Sequence, residues 1–211
     1  MDSAIITGRN SVIEALKAGR SVTRIYITAG KDSQPLLRIR SMAREKGVPV
    51  EPVSADVMRR HARGTHHQDV VAFAAAVAFA DLDEVLSEVQ AKGDVPFLIL
   101  LDGIEDVHNL GAVIRTAECA GAHAVLVPKR RSAPVNETVG KTSAGAVEYM
   151  PVVRIGNTAS FLKKLKKQGF WVIGADMDGE TDYFHSSLTG PLVLVIGSEG
   201  KGISRLVREH C

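Results

Sequence analysis

Short apolar runs alternate with amphipathic helical patterns along the whole chain, and the character of the runs changes near residue 78. In front of that point residues 5–7, 22–27 and 50–53 read as strands, and residues 70–77 form a last apolar run. Between them, Asn10 or Ser11 caps a helix through Leu16 that Gly19 stops, and Pro35 opens a helix that Gly47 closes. A short helix follows Ser54, from about Ala55 to His61. The alternation predicts a small βαβαβαβ module, an α/β sandwich, over residues 1–77.

Residues 78–95 read as a linker that holds one amphipathic helix, with Leu82, Val85, Leu86 and Val89 on one face and Asp81 and Gly93 as its brackets. From residue 96 to 211 the strands become uniformly apolar, at 97–101, 124–127, 171–175 and 192–196. Runs without polar alternation are what a parallel sheet covered on both faces demands. Helical stretches at 110–120, 137–143 and 158–167 separate them, so this half is predicted to be an open, doubly wound α/β domain. Phe170, Trp171 and Val172 read as core at a strand start, and Lys163, Lys164, Lys166 and Lys167 as the wet face of a helix. No internal repeat or low-complexity segment interrupts either half.

Composition adds little until it is divided along the chain. The 211 residues are 45% hydrophobic and 24% charged, enough for one fair-sized core or two small ones. No apolar run approaches the roughly 20 residues of a membrane span, and no basic start precedes an apolar stretch, so a cytoplasmic location is expected. Cys119 and Cys211 belong to no ligand cluster, which predicts reduced thiols and no metal. The net charge of +2 conceals an asymmetry: residues 1–76 hold 12 Lys and Arg against 7 Asp and Glu, and residues 77–211 hold 14 against 17. A basic front module ahead of a mildly acidic one fits a polyanion-binding part joined to a part with another task, though scattered solubilising arginines fit the same numbers.

In open α/β sheets ligands bind beyond the carboxyl ends of the strands. Asp102, Gly103, Asp106, Asn109, Gly111 and Arg115 follow the first apolar run of the second half, and Gly197, Ser198, Glu199, Gly200, Lys201 and Gly202 follow the last. The first turn lacks a G-x-G-x-x-G fingerprint, which weighs against a dinucleotide-dependent oxidoreductase, and Val195 stands where a P-loop needs glycine. Asn109 reads as an N-cap for a helix beginning at Leu110. Arg115, flanked by Val113, Ile114 and Ala117, is expected to aim into a crevice rather than form a surface ion pair. Glu199 reads equally as an ordinary first-turn helix carboxylate.

These residues carry a family resemblance. The run from Leu101 to Ala117, with Asn109, Gly111 and Arg115, resembles the first motif of the SpoU (TrmH-like) methyltransferases of the knotted SPOUT class, and the run from Leu192 to Ile203 resembles the second. Lys141, Thr142, Ser143, Ala144, Gly145 and Ala146 look like the family's connecting helix end. The front module, with residues 6–12 and 67–71, is similar to the L30e-like substrate-binding domain of the subgroup that methylates guanosine in large-subunit ribosomal RNA. Members usually carry Gly where this chain has Asp69. A third motif follows position 211 in the family, so the resemblance implies a trefoil knot whose C-terminal segment is missing from this sequence.

The resemblance implies methylation of a ribose 2′-hydroxyl in RNA with S-adenosylmethionine as cofactor. Arg115, Asn109 and Glu199 would act in catalysis, Ile196, Gly197, Gly200 and Ala175 would hold the cofactor, and a second copy of the chain would pair through the catalytic domain once the third motif is present. A guanidinium is a poor general base at neutral pH, so Arg115 is expected to stabilise negative charge on the hydroxyl and an adjacent phosphate. Arg9, Asn10, Arg59, Arg60, Arg63 and His67 are the expected RNA contacts of the front module. Ribosomal RNA is the expected substrate, with transfer RNA as the alternative; a non-catalytic RNA-binding or ribosome-assembly protein on the same scaffold is the reading from another class.

Overall fold

A computed structural model describes residues 3–62, 64 and 66–211, which form two compact units. The first comprises the chain through Val77 together with Val135–Tyr149; the second comprises Ala78–Pro134 and Met150–Cys211. Among the described residues no helix is long and apolar enough to cross a membrane.

In the first unit, β1 (Ser3–Thr7), α1 (Arg9–Lys17), β2 (Val22–Thr28), α2 (Gln34–Glu45), β3 (Val50–Val53), α3 (Ala55–Ala62) and β4 (Val70–Ala75) follow the predicted order. They build a mixed sheet in the order β1-β4-β2-β3, with β4 antiparallel to both neighbours and β2 parallel to β3. The period of two sorts its side chains. Ile25, Ile27, Val70, Ala72 and Ala74 join the core shared with α1 and α2, while Tyr26, Val71 and Phe73 face Met58 and Ala62 of α3. The start of α1 departs from expectation: Gly8, not Asn10 or Ser11, is the N-cap. Gly8 has φ +91°, a conformation only glycine adopts cheaply, and the Gln68 side chain takes the first free amide, that of Arg9, at 2.9 Å.

Residues 135–149 pack with this unit although they lie far along the chain, an association that no hydrophobic pattern announces. The segment holds a one-and-a-half-turn helix at Glu137–Thr142 and a 3₁₀ turn at Ala146–Glu148. Gly145, at φ +89°, lies so close to Glu14 that a Cβ there would meet the Glu14 side chain at 2.7 Å. The Tyr149 hydroxyl donates to Glu14 at 2.8 Å. Arg20 donates through Nε and Nη2 to the Ala75 carbonyl and through Nη1 to Glu148 at 2.5 Å. The two side chains of that pair are only 12% and 6% exposed.

The second unit opens with α4 (Leu82–Lys92), capped by the Asp81 carboxylate on the amides of Asp83 and Glu84 and closed by Gly93 in the left-handed region. It continues through β5 (Phe97–Asp102), α5 (Val107–Cys119) and β6 (Ala124–Pro128); the Glu137–Thr142 helix of the first unit, α6, comes next in the chain, and the second unit resumes with β7 (Val152–Ile155), α7 (Thr158–Lys167), β8 (Trp171–Ala175), β9 (Leu192–Gly197) and α8 (Arg205–Arg208). The sheet is wholly parallel, in the order β7-β6-β5-β9-β8. Leu98, Leu100, Leu126, Val193 and Val195 bury one face together with α7 and α8, and Leu82, Val85 and Leu86 of α4 pack against that core. The alternate positions Ile99, Leu101, Val125 and Val127 are buried as well, which is why these strands read as unbroken apolar runs.

Two expectations fail at the sheet's edges. β7 escaped the sequence reading because it is a short edge strand whose Arg154 is exposed and lies 4.6 Å over the Phe79 ring. Trp171 is not core: it is 69% exposed on the other edge strand, β8, while Phe170 and Val172 are buried as expected. An edge strand buries alternate positions only, and Trp171 falls on the open ones.

The buried pair in the first unit yields a test. Burial holds the Glu148 carboxyl above its ordinary value even with Arg20 beside it. Arg20→Ala would leave that carboxylate buried alone, a loss of about 3 kcal/mol. A carboxyl whose folded pKa lies above its unfolded one is stabilising below the unfolded value and loses that contribution as pH rises through the folded one. The deficit of Arg20→Ala, measured by urea unfolding, should therefore be largest at neutral pH and shrink on acidification.

Candidate active site

The two motif-bearing turns leave neighbouring strands. β5 and β9 run in parallel register, Leu101 beside Ile196 and Asp102 beside Gly197, so the turns that follow them start side by side. After β9 the chain makes a closed loop: the Ser198 amide donates to the Gly202 carbonyl at 3.1 Å, and the Gly202 amide donates back at 2.8 Å. Gly197 is indispensable to this closure, since a Cβ there would lie 2.1 Å from the Gly202 carbonyl carbon and 2.3 Å from the Ile203 nitrogen. The Asp102 carboxylate then accepts from the Ser204 amide at 2.7 Å, tying the end of β5 to the start of α8.

After β5, the helix start differs from the expected one. Asp106 is the N-cap of α5, its carboxylate accepting from the amides of His108 at 2.6 Å and Asn109 at 3.2 Å. The hydrogen bonds from Asn109 and His108 hold the Asp106 carboxyl below its ordinary value. Asn109 therefore lies in the first turn with its side chain free for other work, and its amide donates to the Glu199 carboxylate at 3.4 Å across 90 residues of sequence.

A groove of about 500 Å³ opens where these turns meet. Asn109, Ile196, Gly197 and Glu199 line it, together with Glu105, Asp106, Ala112 and Val113. Three of its lining side chains are carboxylates and none is a cation. Of the expected site residues, the structure thus brings four together. Gly200 stands in the loop beyond, with open space around it. Ala175 ends β8 in register with Ile196 and does not line the groove; its neighbours Gly174 and Asp176 line another of about 740 Å³.

Arg115 is exposed on α5, does not line the groove, and has no ion-pair partner among the described residues. The expected aim into a crevice is corrected by helical phase: Ile114 and Ala117 take the buried face, and three residues at 100° a step set Arg115 about 60° around the helix from Ala112.

The first unit distributes its candidates unevenly. Arg9 is engaged locally, donating through Nε to the Gln68 carbonyl at 3.0 Å and reaching Asp69 at 3.5 Å. It braces a turn in which Gln68 and Asp69 stand at φ +49° and +66°, a backbone that glycine would adopt without strain. The His67 Nδ1 accepts the Asp69 amide in the same turn. Arg59 pairs with Asp56 on α3, whereas Asn10 and Arg60 are exposed; Arg63 lies outside the described residues. Sequence reasoning missed Arg24, whose guanidinium lies 4.4 Å over Phe73 and 5.3 Å over Tyr26. The i,i+2 spacing of Arg24 and Tyr26 on one strand face was the available signal. It also missed Lys129, Arg130 and Arg131, which follow β6 at the same end of the sheet as the two motifs.

Comparison with known proteins supplies family context. Residues 96–211 match the family described as SpoU rRNA Methylase, and residues 5–80 match the RNA 2′-O ribose methyltransferase substrate-binding domain. The chain is 38% identical over 206 residues to YacO of Bacillus subtilis, named for the TrmH family of tRNA/rRNA methyltransferases, covering 98% of this chain and 82% of that one. It is 39% identical over 211 residues to a protein of the same naming from Staphylococcus haemolyticus, covering 100% and 84%. Among solved structures, a TrmH-family RNA methyltransferase from Porphyromonas gingivalis superposes with a TM-score of 0.74 at 26% identity, covering 99% of this chain and 77% of that one. AviRb of Streptomyces viridochromogenes, a SpoU methyltransferase solved with AdoMet, superposes with a TM-score of 0.79 at 23% identity, covering 99% and 78%.

The two glycines of the β9 turn separate on stability. Gly197→Ala should cost about 3 kcal/mol by forcing the loop open, whereas Gly200→Ala should change stability by less than about 0.5 kcal/mol. Thermal or urea unfolding of the two variants checks the contrast.

Proposed function

Because the chain belongs to the SpoU family of RNA 2′-O-ribose methyltransferases, we propose that it transfers a methyl group from S-adenosylmethionine to a ribose 2′-hydroxyl of ribosomal RNA, at a guanosine of the large subunit. The observation that carries this reading is the Asn109–Glu199 contact, which joins the ends of β5 and β9 in one groove. The groove's carboxylates and its lack of cations suit a sulfonium, and Gly197 and Ile196 offer backbone at its wall. When bound, S-adenosylmethionine supplies an electrophilic methyl carbon.

The chain's own residues do the rest. Ile196, Gly197, Gly200 and Ala175, all at or just beyond the ends of β8 and β9, would hold the methyl donor. Arg115 lowers the cost of negative charge developing on the 2′-oxygen and the adjacent phosphate, and its freedom from ion pairs leaves its full charge for that task. Asn109 and Glu199 fix each other and orient the ribose. The proton leaves to a phosphate oxygen or to solvent, since no side chain in the groove has to accept it. The first unit, in this reading an L30e-like module, holds the RNA, with Asn10, Arg60, His67 and Arg63 as contacts and Arg9 and Arg59 as supports. In this reading the second unit is a member of the trefoil-knotted class and works in the cytoplasm as a homodimer through its catalytic domain. The names of the relatives, which join tRNA with rRNA, keep transfer RNA as the second substrate to test.

Arg115→Ala should lower methyl transfer from labelled cofactor to ribosomal RNA by about 10²- to 10³-fold without loss of folding. Turnover near that of the parent would remove Arg115 from the chemistry. Parallel assays on ribosomal and transfer RNA decide the substrate, and a parent protein that binds RNA but no S-adenosylmethionine in calorimetry would be the non-catalytic scaffold.

A further inference from the structure

A second groove lies beside the one described, at the same carboxyl end of the parallel sheet. It measures about 440 Å³, and the two adjoin at Gly103, which lines both. Their electrostatics are opposite. The motif groove carries three carboxylates and no cation, whereas the second is lined by Lys129, Arg130 and Arg131 and by one carboxylate, Asp102. Asp102 is already committed to the Ser204 amide. None of the three cations has an ion-pair partner among the described residues, and all three are exposed.

Arg131 adds an independent observation. It stands at φ +57°, in the left-handed region that disfavours a side chain with a Cβ. Glycine would fit that backbone without strain, yet the position carries an arginine. Backbone strain of this kind gathers in functional loops.

We infer that this second groove is the channel for the phosphodiester backbone of the substrate RNA next to the reacting ribose, an inference that rests on the RNA methyltransferase reading above. A polyanion cannot lie in the motif groove without meeting Glu105, Asp106 and Glu199. It can place one ribose there only if its phosphates lie elsewhere, and the contiguous cationic groove is where three of them find unpaired charges. The acidic groove then takes the neutral sugar edge and the cationic donor, and the basic groove takes the chain.

The test uses the whole chain and a fluorescein-labelled single-stranded oligoribonucleotide, with anisotropy read across a salt series. Replacing the three cations, K129Q/R130Q/R131Q, should weaken binding at low salt at least about tenfold and flatten the log–log salt slope by about two units, the share of three phosphate contacts on a single strand. The charge-retaining R130K/R131K should keep the parent slope. Arg131→Gly separates binding from folding: it relieves the strained backbone, so the melting temperature should stay at or above the parent's while RNA binding weakens. A triple variant that matches the parent in affinity and slope overturns the channel and leaves the methyltransferase reading standing. An Arg131→Gly protein that loses stability along with binding also overturns it, since the arginine would then be structural. A parent protein that binds no RNA overturns both readings.

Discussion

No side chain fits at position 197, because the backbone of residues 202 and 203 occupies the space a Cβ would need. That prohibition closes the loop after β9 on itself and turns Glu199 toward α5, where Asn109 meets it. The parallel register of β5 and β9 does the remainder, since it sets Asp102 beside Gly197 and starts both functional turns from one point. The Asp102 bond to Ser204 locks the arrangement from the other side. Each element of the proposed site thus depends on one close approach of backbone to backbone, and the glycine there serves the chain's own packing before it serves any ligand.

The site divides its charges in space. Carboxylates gather where the first and last strands of the sheet's centre end, and unpaired cations gather one strand further out, after β6. In the proposed reaction, between a sulfonium and an alcohol carried on a polyanion, this separation would draw each reactant to the side on which its charge is matched. Arg115 stands outside both linings, exposed on α5 and without an ion-pair partner among the described residues. The net charge of +2 hides all of this, since opposite patches cancel in the sum.

How much of this was legible depended on whether the signal was local. The strands at 97–101, 124–127, 171–175 and 192–196 were readable because a doubly covered parallel sheet leaves unbroken apolar runs; β7 was not, because an edge strand with Arg154 outward breaks the run. Trp171 misled for the same reason in reverse, an apolar side chain on the open side of an edge. The brackets of α4 at Asp81 and Gly93 were read correctly because caps are short-range chemistry. Asn109 and Asp106 are both good caps three residues apart, and composition could not rank them; the structure gives the cap to Asp106 and so frees Asn109 for Glu199. The packing of residues 135–149 with the first unit rests on Gly145, Tyr149 and Glu148 meeting residues more than a hundred positions earlier, which no periodicity encodes.

The arginines of the first unit show why a charge count overstates a binding surface. Arg20 is consumed by Glu148 and the Ala75 carbonyl, and Arg9 by the turn at Gln68 and Asp69, whereas Arg59 makes only an exposed pair with Asp56. A guanidinium held by two or three partners within the fold has little to give a phosphate, since breaking those bonds subtracts from whatever the new contact supplies. Arg24, stacked on Phe73 and Tyr26, keeps its hydrogen-bond donors open while its position is fixed by the rings beneath it. Cations without an ion pair among the described residues are therefore the informative ones, and both units hold some: Arg24 and Arg60 on the first, and Arg115 on α5 and Lys129, Arg130 and Arg131 after β6 in the second. Charge asymmetry along the sequence pointed to the front module alone. Pairing within the fold redistributes that expectation, because it removes from the front module the arginines that architecture has already used.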